Sequence, residues 1–332
     1  MISQIEQRAT QLDEMRKIRI LKSTSVDFEK YVKATDVGQH VYPASNYFSE
    51  IRESLFNSEK ELTFTLPWEK SHQSFKFRLG EVTVYAGGNG GGKSLLTGQV
   101  ALNLIKQGAK VCIASFEMKP KRTLQRMLRQ FTGVNFEVPS LTKPHDIVGS
   151  LLRLESFADS KLWLYDQQGT INAKQIIGVA RYCAVELGIN HFFIDSLMKC
   201  VSGEDDYNGQ KAFVDELTSL ARDHNIHIHL VHHIRKLQSE EIHPNKNDLK
   251  GSGAIADQVD NVFMVWRNKI KEHAIQSGKQ VDDSKPDAFL MCEKQRNGDA
   301  EEWYQLWYRK DSQQFTDAPD SYLMAFDNKG DF

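Results

Sequence analysis

The octapeptide Gly87-Gly88-Asn89-Gly90-Gly91-Gly92-Lys93-Ser94 fits the pattern G-x-x-x-x-G-K-[ST]. It follows an apolar run at Glu81–Ala86 that is predicted to be a strand, and it opens a run of helical periodicity at Lys93–Gln107. In this context, glycines allow backbone N–H groups to surround phosphate oxygens at a helix N-terminus. Lys93 is predicted to reach the β- and γ-phosphates of a nucleoside triphosphate, and Ser94 to bind Mg²⁺ through its hydroxyl.

On either side of this loop, runs of strand character alternate with runs of helical periodicity. Strands are predicted at Glu81–Ala86, Lys110–Ser115, Lys161–Tyr165, His191–Ile194, Ile226–Val231, Asn261–Trp266, Asp287–Glu293 and Glu302–Tyr308. Helices are predicted at Lys93–Gln107, Pro120–Thr132, Asn172–Leu187 and Asn208–His224. This alternation predicts an α/β fold with a mostly parallel central sheet flanked by helices. The last strands follow one another without helices, so the sheet is expected to end antiparallel.

Composition excludes several classes of protein. The 332 residues include 42 Lys and Arg, 44 Asp and Glu, and 40% hydrophobic residues, which is enough for a core and argues against wholesale disorder. Apolar runs fall short of the ~18 residues of a membrane span, and the polar first residues do not form a secretory signal. The cysteines stand too far apart for a zinc ribbon, and a disulfide framework is not expected: Cys112, Cys183, Cys200, Cys292. The chain is therefore predicted to be cytoplasmic. Its net charge of -2 gives no global sign of nucleic-acid binding.

Two domains are predicted, a helical N-terminal arm or linker at 1–60 and an ATPase domain at 61–332. Apolar residues recur at helical spacing over Ile2–Leu21, and Asn46–Phe56 is predicted to be a second short helix. The narrow apolar stripe of the first helix indicates docking on another surface, with an unstructured tail as the alternative.

Acidic residues end two of the predicted strands. The run His191-Phe192-Phe193-Ile194-Asp195 matches the Walker B pattern, which brings a carboxylate beside Mg²⁺. Glu117, in Ser115-Phe116-Glu117-Met118, is a candidate general base for the attacking water. The alternatives are a turn-capping aspartate and a solvated glutamate.

Histidines mark the strand at Ile226–Val231, which continues into His232 and His233. Alternation puts His227 and His229 on one face, where a metal site is conceivable but half-exposed histidines are favoured because ligand-spaced partners are lacking. A polar side chain at the end of this strand is a candidate sensor of the γ-phosphate.

Together these motifs, in this order, resemble those of the RecA-like motor domain of the DnaB family of hexameric replicative helicases, which includes phage enzymes. The resemblance covers roughly residues 62–316. Two further motifs carry it: Asp248-Leu249-Lys250-Gly251-Ser252-Gly253-Ala254-Ile255 is very close to the family's DNA-loop motif, and Glu293-Lys294-Gln295-Arg296-Asn297-Gly298 is nearly identical to its finger segment.

The resemblance implies roles residue by residue. Glu117 would be the catalytic base and Asp195 the carboxylate associated with Mg²⁺. His233 would sense the γ-phosphate and relay its state to the DNA loop. Arg296 would be an arginine finger, with Lys294 its companion, acting on ATP bound by the neighbouring subunit.

Nucleotide and DNA contacts are implied in the same way. Tyr308 would lie against the adenine. The DNA loop, 235–253, would contact the strand's phosphates through basic side chains and backbone N–H groups, with these candidates: Arg235, Lys236, Lys246, Lys250, Gly251, Ser252, Gly253. The implied cofactors are ATP and Mg²⁺. The implied partners are single-stranded DNA, further copies of the chain in a ring of hexamer type, and a separate primase or loader.

The function expected from these features is an ATP-driven replicative DNA helicase that translocates on single-stranded DNA. The main alternative is a RecA-like DNA-dependent ATPase of recombination, repair or signalling that does not unwind. A small-molecule kinase would need an arginine-rich lid that the sequence lacks. An ATP-binding scaffold without turnover is disfavoured by the intact set of Lys93, Glu117, Asp195 and Arg296.

Overall fold

The structure is a computed structural model that describes the backbone of Arg19–Lys22 and residues 62–138, 144–251 and 253–327. The predicted helices over Asn46–Phe56 and over most of Ile2–Leu21 lie outside these residues. The strands are β1 Arg19–Lys22, β2 Thr63–Phe64, β3 Phe77–Arg78, β4 Val82–Gly87, β5 Val111–Ser115, β6 Leu162–Asp166, β7 His191–Asp195, β8 His227–His233, β9 Asn261–Arg267, β10 Ala288–Gln295, β11 Trp303–Arg309 and β12 Gln314–Thr316. The helices are α1 Lys93–Lys106, α2 Pro120–Thr132, α3 Pro144–Ala158, α4 Ala173–Leu187, α5 Tyr207–His224, α6 Ala254–Gln258 and α7 Lys269–Gln276.

The main sheet has ten strands in the order β1-β6-β5-β7-β8-β4-β9-β10-β11-β12. Neighbours from β1 to β9 are parallel, and the last three pairings are antiparallel. The predicted mixed sheet with an antiparallel end is therefore confirmed. The strands β2 and β3 form a separate two-stranded sheet.

Local signals explain where the helices begin and end. The helix α2 starts with Pro120 and is followed by Gly133 in the left-handed region, which ordinary side chains avoid. The Asn172 side chain accepts a hydrogen bond from Lys174 N–H at the start of α4, and Asp206 accepts one from Gly209 N–H at the start of α5. The predicted bounds of these helices hold to within one residue.

Three described helices were not predicted, each because its pattern is weak. The helix α3 has apolar side chains on more than one side, since Leu151 is exposed whereas Leu154 is buried. The helix α6 has five residues, too few for a periodic signal. In α7 the buried side chain is Lys271, so an apolar stripe is missing.

The strand β1 corrects the prediction for the end of the first segment. Arg19–Lys22 was expected to continue a helix, but it pairs in parallel with Leu162–Asp166 at the edge of the sheet. Ile20 and Leu21 fit the spacing of either structure, and an unpaired sheet edge favours the extended one.

Helices cover both faces of the sheet, and each face has its own apolar core. One core lies between the sheet and α4, α5 and α6, and the other between the sheet and α1, α2 and the small sheet. Because both faces are buried, the central strands have few exposed side chains, and the polar groups at their ends define the site. Among the described residues, no helix has the length and apolar character needed to cross a membrane.

Candidate active site and nucleic-acid interface

The carboxyl ends of the parallel strands bring the predicted catalytic residues to one edge of the sheet. Gly87 pairs with His233 at the ends of β4 and β8, and Ser115 pairs with Asp195 at the ends of β5 and β7. The phosphate loop leaves β4 at this edge, and Glu117 follows β5 by two residues. The sheet order therefore brings together side chains that are up to 146 residues apart in sequence, between Gly87 and His233.

The phosphate loop ends at the first turn of α1. Gly92 precedes the helix with φ of 85°, a conformation that favours glycine. The ammonium of Lys93 donates to the carbonyl oxygens of Gly87 and Gly88, both at 2.9 Å. Burial lowers the pKa of Lys93, and the neighbouring carboxylates of Asp195 and Glu117 oppose this shift. The lysine is thus held inside the loop, where a phosphate would replace the two carbonyl partners.

Ser94 and Asp195 form the oxygen pair that a magnesium site needs. The Ser94 hydroxyl donates to Asp195 Oδ2 at 2.7 Å, and Asp195 is 8% exposed. One hydroxyl and one carboxylate, completed by phosphate oxygens and water, fit the hard oxygen ligands that Mg²⁺ prefers. Burial raises the pKa of Asp195, and the Ser94 hydrogen bond opposes the shift.

Replacing the Asp195 carboxylate should reveal this burial penalty. A folded-state pKa above the ordinary value means that the ionised form is destabilised by folding above that pKa, and that the penalty disappears as the pH falls below the ordinary value. We expect Asp195→Asn, without nucleotide or metal, to unfold at a higher temperature than the wild type near neutral pH. A gain of about 1 kcal/mol would raise the midpoint by roughly 2–4 °C.

Thermal denaturation with a chelator present, repeated from neutral to acidic pH, measures this. The difference should shrink as the pH falls. The exposed Asp159→Asn serves as the matched control, and a lower midpoint for Asp195→Asn at neutral pH would contradict the expectation.

Glu117 stands at the exposed side of the same edge. The Ser196 hydroxyl lies 3.5 Å from Glu117 Oε1, and backbone hydrogen bonds fix the chain around it, from Phe116 N–H to Asp195 O at 2.8 Å and from Gly169 N–H to Phe116 O at 3.0 Å. An exposed carboxylate on a fixed backbone can reach a water molecule beside a bound γ-phosphate.

The end of β8 joins the phosphate loop to the predicted DNA loop. The His233 carbonyl accepts from Lys250 N–H at 3.0 Å, and the His232 ring nitrogen Nε2 lies 2.6 Å from the Lys250 carbonyl oxygen. Burial lowers the pKa of His233, with a further lowering from Lys93, and Glu117 opposes it. His233 is therefore held neutral between the nucleotide site and the DNA loop.

One basic residue at this edge was not predicted from the sequence. Arg126, on α2, favours the ionised form of Asp195 and of Tyr308 through its charge, so it lies close to both. Its position nine residues after Glu117 puts it on the turn of α2 that faces the strand ends. Helical periodicity could have identified that face, but the partner strand could not be read from sequence.

Tyr308 lies near the phosphate loop, as the predicted adenine contact requires. Its ring packs on Phe315 at 5.2 Å between centroids, and the Arg267 guanidinium lies 4.7 Å from its centroid. Phe315 in turn reaches the loop, since a Cβ added to Gly92 would come within 3.3 Å of its ring. These aromatic side chains form an apolar wall beside the loop.

The base of the predicted DNA loop is fixed by backbone and ionic contacts. Ile234 and Leu249 form an isolated antiparallel bridge, and Arg235 Nη2 lies 2.7 Å from Asp248 Oδ1. Lys250 is paired with Glu204 from the acidic stretch after β7. Arg235 and Lys250 are therefore engaged by carboxylates in the chain alone, whereas Lys236 and Lys246 are exposed or partly exposed on the loop. Ser252 lies outside the described residues.

Farther along, this loop packs on aromatic side chains at the antiparallel end of the sheet. The His243 ring meets Trp266 at 4.4 Å, Phe289 at 5.2 Å and Trp303 at 5.3 Å between centroids, each edge to face. The Trp266 indole N–H donates to the Glu240 carbonyl at 2.9 Å. The loop is thus held at its base and at its middle.

Gly251 makes the contact between the DNA loop and the acidic stretch. Its φ is 91°, and an added Cβ would lie 2.0 Å from the Gln210 amide oxygen. Gln210 Nε2 donates to the carbonyls of Gly203 and Glu204, at 3.1 and 2.9 Å. The two loops that follow β7 and β8 are therefore fitted to each other, and glycine is required where they meet.

Gly251→Ala is expected to destabilise the protein. Both the left-handed backbone and the contact with Gln210 oppose a methyl group, so the free energy of unfolding should fall by about 1–3 kcal/mol. Urea denaturation measures this change. Gly149→Ala, at an exposed position in α3 where an added Cβ meets open space, should instead gain up to about 1 kcal/mol. Equal stability of Gly251→Ala and the wild type would contradict the prediction.

Lys294 and Arg296 lie at the opposite edge of the sheet. Gln295 pairs with Asn261, and Asn261 pairs with Thr83 near the start of β4. The steps from Thr83 to Gly87 span roughly 13 Å at about 3.3 Å per residue. The two basic side chains therefore point away from the phosphate loop of their own chain.

Carbonyl oxygens at the end of α6 hold both side chains in place. The Lys294 ammonium donates to the carbonyls of Ala256, Asp257 and Val259 at 2.8 to 2.9 Å. Arg296 borders a cleft of about 650 Å³ together with Arg78, Glu81, Arg222, Asp260 and Asn297. Carbonyls at a helix C-terminus favour cations, so α6 is a suitable anchor for this pair.

The histidines of β8 correct a prediction. His227 and His229 were expected to be half-exposed, but both are fully buried under Phe77, and burial lowers the pKa of His227 to about 4. His229 lies 3.0 Å from a ring nitrogen of His191 and 3.2 Å from the Tyr85 hydroxyl. Among the described residues, no three His, Cys, Asp or Glu side chains form a metal-binding group. These histidines are neutral core residues.

A phosphate loop, a strand-end acid pair and a mixed sheet with helices on both faces define an α/β ATPase domain. Comparison with known proteins identifies its family: the chain belongs to the family of DnaB-like helicase C-terminal domains, whose model matches residues 74–317. It is therefore an ATP-hydrolysing enzyme of the helicase class.

Solved structures share the fold. The ATPase domain of one DnaB-like replicative helicase is similar with a TM-score of 0.70 and 15% identity, over 83% of this chain and 99% of that one. A second DnaB-like replicative helicase, described with its interactions with primase, is similar with a TM-score of 0.68 and 14% identity, over 82% of this chain and 68% of that one. Both likenesses support the RecA-like fold predicted from the sequence.

Proposed function

We propose that the chain assembles into a ring, of hexamer type, that hydrolyses ATP at subunit interfaces and translocates on single-stranded DNA as a replicative helicase. The observation that carries this proposal is the division of the hydrolytic residues between two edges of one sheet. Lys93, Glu117 and Asp195 lie at the carboxyl edge, and Lys294 and Arg296 lie at the other. A head-to-tail contact between two copies brings complementary edges together, and such contacts close into rings.

In this function the residues at the carboxyl edge bind ATP and act on water. Lys93 binds the β- and γ-phosphates, while Ser94 and Asp195 hold Mg²⁺, which neutralises phosphate charge. Glu117 accepts a proton from the attacking water. Tyr308 lies against the adenine. Arg296 of the neighbouring subunit, with Lys294 beside it, stabilises the negative charge that develops on the γ-phosphoryl group.

The DNA loop couples hydrolysis to movement of the strand. His233 contacts the loop through the hydrogen bond from Lys250 N–H, so a change at the γ-phosphate can reach the loop through one residue. The loop offers Lys236 and Lys246 to DNA phosphates, together with the backbone of Gly251–Gly253. Arg235 and Lys250 would join them by exchanging their carboxylate partners for phosphates. A separate primase or loader is the further partner that this function implies.

Two assays on one preparation test the proposal. ATP hydrolysis is measured with and without single-stranded DNA, and strand separation is measured on a forked duplex. We expect stimulation by DNA and ATP-dependent unwinding, and Glu117→Gln should bind ATP but fail in both assays. Stimulation without unwinding would favour the RecA-like ATPase of recombination or signalling. Hydrolysis that is indifferent to DNA, with no unwinding, would reject the helicase.

A further inference from the structure

Arg296 is held by one carboxylate besides the carbonyls of α6. Its Nη1 atom lies 2.8 Å from Asp260 Oδ1, and its backbone N–H donates to the Asp260 carbonyl at 2.9 Å. Its Nη2 atom donates to the carbonyls of Asp257 at 3.0 Å and Gln258 at 3.3 Å. The guanidinium plane is thus fixed by contacts at two corners while the side chain remains 38% exposed.

Asp260 is itself fixed to the sheet. Its side chain is 4% exposed, its Oδ2 atom accepts from Val82 N–H at 2.9 Å, and its own N–H donates to the Val82 carbonyl at 3.0 Å. Val82 is the first residue of β4, the strand that ends at the phosphate loop. The carboxylate that holds Arg296 is therefore attached to the most central element of the domain.

The charges around this carboxylate do not cancel. Arg222 Nη2, on α5, lies 3.6 Å from the same Asp260 Oδ1, so two guanidinium groups share one negative charge. Arg222 is 54% exposed, and both arginines border the same cleft. A positive charge therefore remains at this edge, directed toward solvent, where a polyphosphate of a neighbouring copy can meet it.

We propose that Asp260 is the positioning residue for Arg296: it sets the place and orientation of the guanidinium that enters the neighbouring subunit's ATP site. This inference rests on the proposed action of Arg296 across the interface. A long side chain held at one carboxylate arrives at the transition state already oriented, so little conformational freedom is lost on assembly. Asp260 touches neither ATP nor water in this role.

The variant Asp260→Asn removes the charge and keeps an oxygen for Val82 N–H. Arg222 and Arg296 are both partly exposed, so neither is left as a buried unpaired charge, and the variant should fold. Asp260→Ser, which keeps a smaller oxygen acceptor, is the second variant. Asp223→Asn, at an exposed site on the last turn of α5, is the matched control. Failure of both Asp260 variants to fold, seen by circular dichroism, would overturn the proposal because it would assign Asp260 to the fold.

The decisive measurement is ATP hydrolysis in mixed assemblies. Alone, Asp260→Asn should hydrolyse ATP about 10²-fold more slowly than the wild type, as expected for a misplaced catalytic group. Mixed with Lys93→Ala subunits, it should regain activity, because a Lys93→Ala subunit supplies a correctly held Arg296 to an intact site. About a quarter of the interfaces in a random equal mixture have that arrangement.

The mixtures separate this inference from the proposed function. Recovery with Lys93→Ala for both Arg296→Ala and Asp260→Asn supports positioning across the interface. Recovery for Arg296→Ala but not for Asp260→Asn would overturn the role of Asp260 and leave the finger intact. No recovery for either would overturn both. Wild-type activity of Asp260→Asn alone would also overturn it.

Discussion

Lys93→Ala is expected to reduce ATP hydrolysis by about 10²–10³-fold, the loss typical of removing one donor that stabilises transition-state charge. The ammonium now lies between the carbonyls of Gly87 and Gly88, at the position where the loop would hold a phosphate. Alanine leaves these carbonyls facing the bound phosphates without a cation, so binding should weaken together with turnover. Unwinding of a forked duplex should be lost with it.

The comparison should use an exposed lysine of the same domain. Lys121→Ala, on α2, changes the net charge equally and lies outside the loop. Steady-state ATPase assays, with a fluorescent nucleotide to measure binding, separate the two variants. Hydrolysis by Lys93→Ala at the rate of Lys121→Ala would show that the octapeptide does not hold the reacting nucleotide.

Arg296→Ala should produce the larger defect, since an arginine supplied across an interface contributes roughly 10³–10⁵-fold to hydrolysis in other nucleotide-hydrolysing enzymes. The position of Arg296, at the edge remote from its own phosphate loop, implies that the defect lies in the neighbour's site. Nucleotide binding by Lys93 and Ser94 should therefore survive while turnover fails. Arg296→Lys should not restore it, because an ammonium lacks the planar fork.

Mixing distinguishes a defect across the interface from one within the chain. Arg296→Ala and Lys93→Ala subunits, each nearly inactive, should hydrolyse ATP when combined. Arg122→Ala, at an exposed site on α2, is the control for loss of a guanidinium and should stay near the wild type. Absence of activity at every mixing ratio would mean that Arg296 does not serve a neighbouring site.

The carboxyl edge of the sheet could be predicted because its logic is local. A glycine-rich loop after a strand, and acids directly after two other strands, must meet wherever those strands are parallel neighbours. Lys93, Glu117, Asp195 and His233 therefore appear in the structure at the expected edge. Their sequence motifs also carried the family resemblance that the family match bears out.

Pairings between loops could not be predicted, since they depend on how two irregular segments lie against each other. Lys250 was expected to face DNA phosphates, yet in the chain alone it meets Glu204, which is 46 residues away in sequence. Arg235 likewise meets Asp248. Composition identified the basic loop and the acidic stretch, but only the packing of Gly251 on Gln210 brings them together.

Burial of the β8 histidines was missed for a different reason. Alternation assigns His227 and His229 to a face but does not say what covers that face. The cover is a small sheet whose Phe64 and Phe77 rings pack over His191 and its neighbours. A two-residue strand such as Thr63–Phe64 has no periodic signal of its own.

The separation of Arg296 from the phosphate loop has a consequence for enzymology. Each chain would own two half-sites and no complete one, so hydrolysis per molecule would depend on how many molecules have met. Dilution would lower the specific activity before it unfolded anything, and the rate would rise more steeply than linearly with protein concentration until every interface was filled. A kinetic curve of that shape would report the strength of the subunit contact, without any direct observation of the assembly.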